Sequence, residues 1–413
     1  MKDNYEFIWS DNWYIEEDKA WFVEGERNIL FCMDLQSDEC EYVAEIPTLN
    51  SETSKFRQNP RCIKIENEIF CIPDIGECVW VYNLLDSQFR QIEIENPNRE
   101  RLSMTGVWKY CAKIFVLSVG LKKIIEIDVG KKVIDNFYTL CDMPGEKIAK
   151  YVRVESDIYC VSAVSNQIYQ FNLETKKITI YTLPNVKGGL YAIGYDGNRF
   201  WLSGNRKEIY IWDKKNNSTQ ILSKFPEQFG IYNFGGDGEK VLDCESIVYD
   251  TPTFIDIKAV GQYIWLIPFQ TNKVIYVDKD SCQIYSLELN EEEETKESLS
   301  KNCMSAKFLV EYILDNRYIG VFSFKNNCIF EIDTLERRKV TKVYTFNNDY
   351  RQKMSGRSFS DKSKFDRMLF KHILLINVKN AEQDDNKRNM NKKNIVSEIV
   401  EGAVGKAIYS QMN

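Results

Sequence analysis

The chain has 413 residues, a formal net charge of −7 at pH 7, 44% hydrophobic and 13% aromatic residues, and 12 cysteines. That length allows one large domain with a tail. The sequence has no apolar run of the ~20 residues a membrane span needs, and no clustered Lys/Arg stripe for phosphate contacts, so neither a membrane nor nucleic acid is expected as a partner.

The first residues, MKDNYEFIW, are charged and lack the apolar segment of a signal peptide, which points to a cytoplasmic protein. Residues 5–10 (YEFIWS) read as a spare strand that would pair at the closing seam of a repeat array and cover an exposed edge. One pattern then recurs seven times, an apolar strand ending in Asp or Asn: Asp34, Asn83, Asp128, Asn172, Asp213, Asp278 and Asp333. The intervals are 49, 45, 44, 41, 65 and 55 residues, the period of a β-propeller blade. About a dozen residues upstream lies a second apolar strand, marked by Trp21-Phe22, Ile69-Phe70, Ile114-Phe115, Ile158-Tyr159, Phe200-Trp201, Ile264-Trp265 and Ile319-Gly320. A short strand before it and an alternating strand after each Asp/Asn complete four strands per unit. Tight turns at Glu66-Asn67, Asp196-Gly197 and Asp315-Asn316 join the first two. The expected fold is therefore all-β, a seven-bladed β-propeller of four-stranded antiparallel blades with a short helical C-terminal tail.

The recurrent Asp/Asn should bond the backbone of the turn that follows it. Six residues earlier stand Asn28, Glu77, Lys122, Asn166, Lys207, Asn272 and Asn327, expected to be left-handed turn residues. The aromatic residues are expected to fill the wedges between neighbouring sheets. The cysteines scatter, with no C-x-x-C pair, and some, such as Cys71, Cys160 and Cys111, lie in apolar stretches; free buried thiols are expected, and no metal site or cofactor.

Two inter-blade connections are long, residues 223–252 and roughly 288–306. Long loops on one face of a propeller commonly carry function. Phe229, Tyr232 and Phe234 on the first of them, with Lys122, Lys207 and Lys273, are the candidates for a loop-face binding site. Gly235-Gly236-Asp237-Gly238 reads as a hairpin turn, and Glu291–Glu294 as a solvated loop. The domain layout is a propeller over 1–346, a helical extension over 347–377, a polar linker over 378–394 and an amphipathic helix over 395–413. Its apolar face, Val396, Val400, Val404 and Ile408, would dock a protein partner or the propeller itself. Residues 347–413 carry 13 Lys/Arg against 8 Asp/Glu, whereas residues 1–346 are net −12.

The fifth unit, GNRFWLSGNRKEIYIWDKKNNSTQI (197–221), resembles blades of the NHL and virginiamycin B lyase-like propellers, and more distantly those of kelch and WD40 proteins. The resemblance implies a scaffold built from blades and, for the lyases, a metal-assisted elimination that depends on histidine. The single histidine here, His372, lies in the tail. The expected function is a non-catalytic, cytoplasmic interaction scaffold. It would bind a protein or small polar ligand on the loop face and dock through its C-terminal helix. The alternative is a lyase- or glycosidase-like enzyme or binder acting on a carbohydrate or peptide through carboxylates and aromatics at the central channel. Richness in Lys, Asn and Ile points to an AT-rich bacterial genome.

Overall fold

The computed structural model describes residues 10, 12–25, 28–47, 60–74, 78–95, 102–204, 208–225, 253–269, 271–289, 308–323, 328–342 and 345–346. These residues are all-β. Seven sheets, each with four strands hydrogen-bonded in chain order, form the blades of a seven-bladed propeller. No helix occurs among the described residues. The expected segments 347–377, 378–394 and 395–413 lie outside them, as do residues 5–9.

The register follows the sequence pattern. The recurrent acid or amide closes the third strand in every blade: Ile29–Asp34, Cys78–Asn83, Lys123–Asp128, Gln167–Asn172, Ile209–Asp213, Lys273–Asp278 and Cys328–Asp333. Second and third strands are buried along most of their length, while fourth strands such as Ser218–Leu222 and Arg338–Lys342 alternate exposed with half-buried residues. A strand covered on both faces reads as a continuous apolar run, and an outer strand keeps the period of two.

Each recurrent Asp or Asn holds the turn after it. Its side-chain oxygen accepts backbone N–H groups two or three residues on: Gln36 and Ser37 at 3.0 and 2.9 Å on Asp34, Leu85 at 2.8 Å on Asn83, Lys131 at 2.9 Å on Asp128. Asn172, Asp213, Asp278 and Asp333 do the same. The fourth residue after it is left-handed in all seven blades: Asp38, Ser87, Lys132, Lys176, Asn217, Cys282 and Arg337, with φ between 50° and 60°. None is glycine. Ser87→Gly should therefore raise stability by about 0.5–1 kcal/mol by relieving left-handed strain, measured as an upward shift of the urea midpoint.

The position six residues before the Asp/Asn corrects one expectation. Asn28 and Lys122 are left-handed (φ 64° and 55°), but Asn166 and Asn272 are not. The shared feature is a stitch: the carbonyls of Asn28, Lys122, Asn166 and Asn272 accept the N–H of Ile46, Leu140, Leu183 and Leu289, just past the fourth strand, at 2.8–2.9 Å. Asn28 Nδ2 and Asn166 Nδ2 return a bond to the Ile46 and Leu183 carbonyls at 3.3 and 2.8 Å. Asparagine suits the site for its amide as much as for its backbone freedom. Cys111 corrects another. Its strand ends at Tyr110, leaving Cys111 exposed in a turn at φ 53°, whereas Cys71 and Cys160 are fully buried.

The described residues fall into two compact units. One holds blades 1–4 and 7, the other blades 5 and 6. In the first, apolar clusters fill the junctions of blades 1 and 2, 2 and 3, and 3 and 4. In the second, Trp201, Ile211, Ile257 and Leu266 fill the junction of blades 5 and 6. Aliphatic residues make up most of these wedges: buried aromatics are prominent between blades 3 and 4 (Trp108, Phe115, Tyr169 and Phe171), whereas Phe70 is the one buried aromatic in the cluster between blades 2 and 3. Blade 7 meets blade 1 differently. Trp13 lies between Phe22 and Tyr312, with ring centroids 4.8 and 4.7 Å away. The Ser10 N–H donates to Glu311 Oε1 at 3.1 Å. A fifth strand, Thr345–Phe346, pairs parallel with Glu39 and Cys40 on the edge of blade 1.

Candidate functional site

The left-handed turn residue of one blade faces the blade before it. Lys132 of blade 3 donates to Glu68 of blade 2 at 2.6 Å. Lys176 of blade 4 reaches Glu126 of blade 3 at 3.7 Å, with its ammonium 4.0 Å from the Phe115 ring centroid. Two more contacts close the blade 3–blade 4 cleft: Arg153 donates to the Lys109 carbonyl at 3.2 Å, and the Tyr110 hydroxyl donates to Glu174. That bond raises the Tyr110 pKa to about 12.

At the blade 7–blade 1 junction the equivalent positions carry different residues. Counting from the recurrent Asp, Lys176 becomes Asp38 and Glu174 becomes Gln36; counting from the strand ends, Arg153 becomes Ile15 and Tyr110 becomes Leu314. Ile15 and Leu314 cannot make the closing contacts, and Asp38, itself an acid, meets Lys342 of blade 7 at 3.3 Å instead of reaching Glu331. Phe115 is likewise replaced by Gly320, where a Cβ would overlap the Tyr312 ring. The cleft stays open as a groove of about 610 Å³, a size typical of ligand pockets.

Blade 1 contributes Ile15, Glu17, Asp18, Leu35 and Gln36 to the groove; blade 7 contributes Ile313, Asp315, Arg317, Glu331, Asp333, Arg338, Val340 and Lys342 among others. Two charged pairs set its electrostatics. Arg317 grips Asp333 with two bonds of 3.1 and 2.6 Å. This pair, with the N–H groups of Glu336 and Leu335, holds the Asp333 pKa at about 2 against the opposing effect of burial. Lys342 spans Asp38 at 3.3 Å and Glu331 at 3.8 Å, and the Tyr312 hydroxyl donates to Glu331 at 3.0 Å. The exposed carboxylates of Glu17, Asp18 and Asp315 have no ion pair among the described residues, and neither has Arg338. Ile313 and Val340 remain 37% and 45% exposed.

Of the residues named from sequence, Lys122 and Lys273 are described. Lys122 lies between the second and third strands of blade 3 and donates to the Met143 carbonyl at 3.1 Å; Lys273 opens the third strand of blade 6, 3.8 Å from Glu288. In its antiparallel blade each lies at the end opposite that blade's Asp turn, and Lys122 is thus away from the end of its own unit that bears Glu17, Leu35 and Asp315. Phe229, Tyr232, Phe234, Lys207, Val396, Val400, Val404 and Ile408 lie outside the described residues. Among the described residues no group of three or more His, Cys, Asp or Glu side chains could hold a metal ion. The groove residues escaped the sequence reading, though one signal was present: Asp38 is the one acid among the seven left-handed turn residues.

No family model and no curated protein matches the chain. Among solved structures it is similar to the computationally designed Ika8 protein, with a TM-score of 0.48 and 9% identity over 84% of this chain and 91% of that one. The NHL- and lyase-like character of the fifth unit thus remains a likeness of blade pattern.

The recurrent carboxylates tie the fold to pH. Backbone N–H groups lower Asp34, Asp128 and Asp278, led by Ser37, Lys131 and Ser281 respectively, with Asp128 near 2. At Asp196 burial pulls upward but is outweighed by the Trp201 indole N–H and the Arg199 and Asn198 N–H groups. Each folded pKa lies below the unfolded value of about 3.9. Their stabilisation is therefore complete above the unfolded value and lost as pH falls through the folded one. The melting temperature should hold from pH 7 to about 5 and drop between about 5 and 2; a drop completed above pH 5 would contradict this.

Proposed function

We propose that the chain is a non-catalytic interaction platform that docks a segment of a protein partner in the groove between blades 7 and 1. The observation that carries this reading is the groove itself, open because four side-chain positions that close the blade 3–blade 4 cleft are exchanged, and walled by exposed aliphatic side chains beside unpaired charges. Propeller folds commonly mediate protein interaction, and fold alone does not identify the partner. The amphipathic segment with Val396, Val400, Val404 and Ile408 supplies a second contact in this reading. A reducing cytoplasm suits a chain in which no disulfide joins the ten described cysteines. The scaffold side of the NHL-like resemblance agrees with it.

Within this groove, glycosidase-like chemistry has less support than docking: Asp333 is committed to Arg317 and stays ionised, so it is no proton donor, and Glu331 accepts from Tyr312. The test is cross-linked co-precipitation with the full chain, a Leu35→Arg/Val340→Arg chain and a chain ending at Asn377. A protein partner held by the full chain and lost from the groove variant is the expected result. Capture of no protein by the full chain contradicts the platform.

A further inference from the structure

The blade 3–blade 4 junction indicates what the open groove accepts. Glu126 of blade 3 has two cations at 3.7 Å, Lys113 from its own blade and Lys176 from the next. Its counterpart Glu331, two residues before the recurrent Asp in the same way, has one among the described residues, Lys342 at 3.8 Å. The Tyr138 and Tyr312 hydroxyls fill the same role, donating to Glu126 at 2.6 Å and to Glu331 at 3.0 Å. What is missing at Glu331 is the second cation, because blade 1 presents Asp38 where blade 4 presents Lys176. The unpaired charges on the rim, Glu17, Asp18 and Asp315 against Arg338, favour a cation as well.

We infer that the groove binds a lysine or arginine side chain from an extended segment of the partner, seated beside Glu331 as Lys176 is beside Glu126. Aliphatic neighbours of that residue pack on Ile15, Ile313 and Val340. The inference rests on the platform reading and names its recognition chemistry. A cation held between a carboxylate and apolar walls is desolvated on one side, where its pairing is worth more than at an open surface.

Twelve-residue phage-displayed peptides selected on the full chain, then measured by fluorescence anisotropy, provide the test. Selected peptides should carry Arg or Lys next to aliphatic residues, and its replacement by citrulline or norleucine should weaken binding at least tenfold. Asp38→Lys with Lys342→Tyr sets a lysine of blade 1 against Glu331 as Lys176 is set against Glu126, and should abolish binding while circular dichroism stays native; Glu331→Gln, which keeps the side-chain shape, should weaken it at least fivefold. A benzophenone amino acid at Gln36 should cross-link the peptide. Peptides without a basic residue, binding indifferent to both protein variants, no selected peptide, or cross-links only to residues 347–413 or to a second copy would each overturn the inference. A partner protein still captured by both variants would leave the platform standing and remove the groove from it.

Discussion

Phe115→Ala is expected to lower stability by about 3–5 kcal/mol, the range for truncating a fully buried aromatic side chain. Phe115 is fully buried at the junction of blades 3 and 4, in one cluster with Leu117, Ile158, Cys160 and Phe171. The Phe171 and Tyr110 rings lie 6.4 and 6.5 Å from its centroid, and the Lys176 ammonium covers it at 4.0 Å. Truncation would leave a ring-sized void that strands pinned by ladder bonds on both sides cannot collapse into, and would remove the aromatic face under a cation. Urea unfolding should show the midpoint fall, with Phe115→Leu recovering most of the loss. A change below 1 kcal/mol would mean that this junction is not a packed core.

Gly204→Ala should cost about 2–3 kcal/mol, through the opposite failure, overpacking. Gly204 ends the second strand of blade 5, and an added Cβ would run into the Gly189 carbonyl oxygen. The Gly204 carbonyl also accepts the Thr253 N–H at 3.0 Å, so the strand end is held where the clash occurs. A backbone oxygen cannot rotate aside. At Gly320 the obstacle is the Tyr312 side chain, which can shift, so Gly320→Ala should be milder. Thermal melts of the two variants decide the order, and a Gly204→Ala chain as stable as the native one would contradict the close approach.

The seven-fold repeat was legible in the sequence because two constraints act on every blade at once. Strands covered on both faces must be apolar throughout, and the turn after the third strand needs a short side chain that accepts N–H groups, which leaves Asp or Asn at Asp34, Asn83, Asp128 and the rest. The left-handed position four residues later left no trace. It is filled by Asp, Ser, Lys, Asn, Cys and Arg, none of which is glycine, since a turn fixed from its other end tolerates the strain. The groove was hidden for a related reason. It depends on contacts that Ile15 and Leu314 do not make across a junction and on Asp38 standing where blade 4 has Lys176, and contacts between blades are not encoded in the spacing within one. The long connections drew attention by length, a property of loops, whereas the groove is bounded by short turns of ordinary length.

Hydrogen exchange on the full chain, with and without a saturating arginine-bearing peptide from the selection, tests the central claim most directly. Protection confined to Tyr14–Asp18, Leu35–Asp38, Ile313–Tyr318 and Arg338–Lys342 is the result predicted for docking between blades 7 and 1. Protection around Lys122, at the other end of the blades of the same unit, with those segments unchanged, would contradict it.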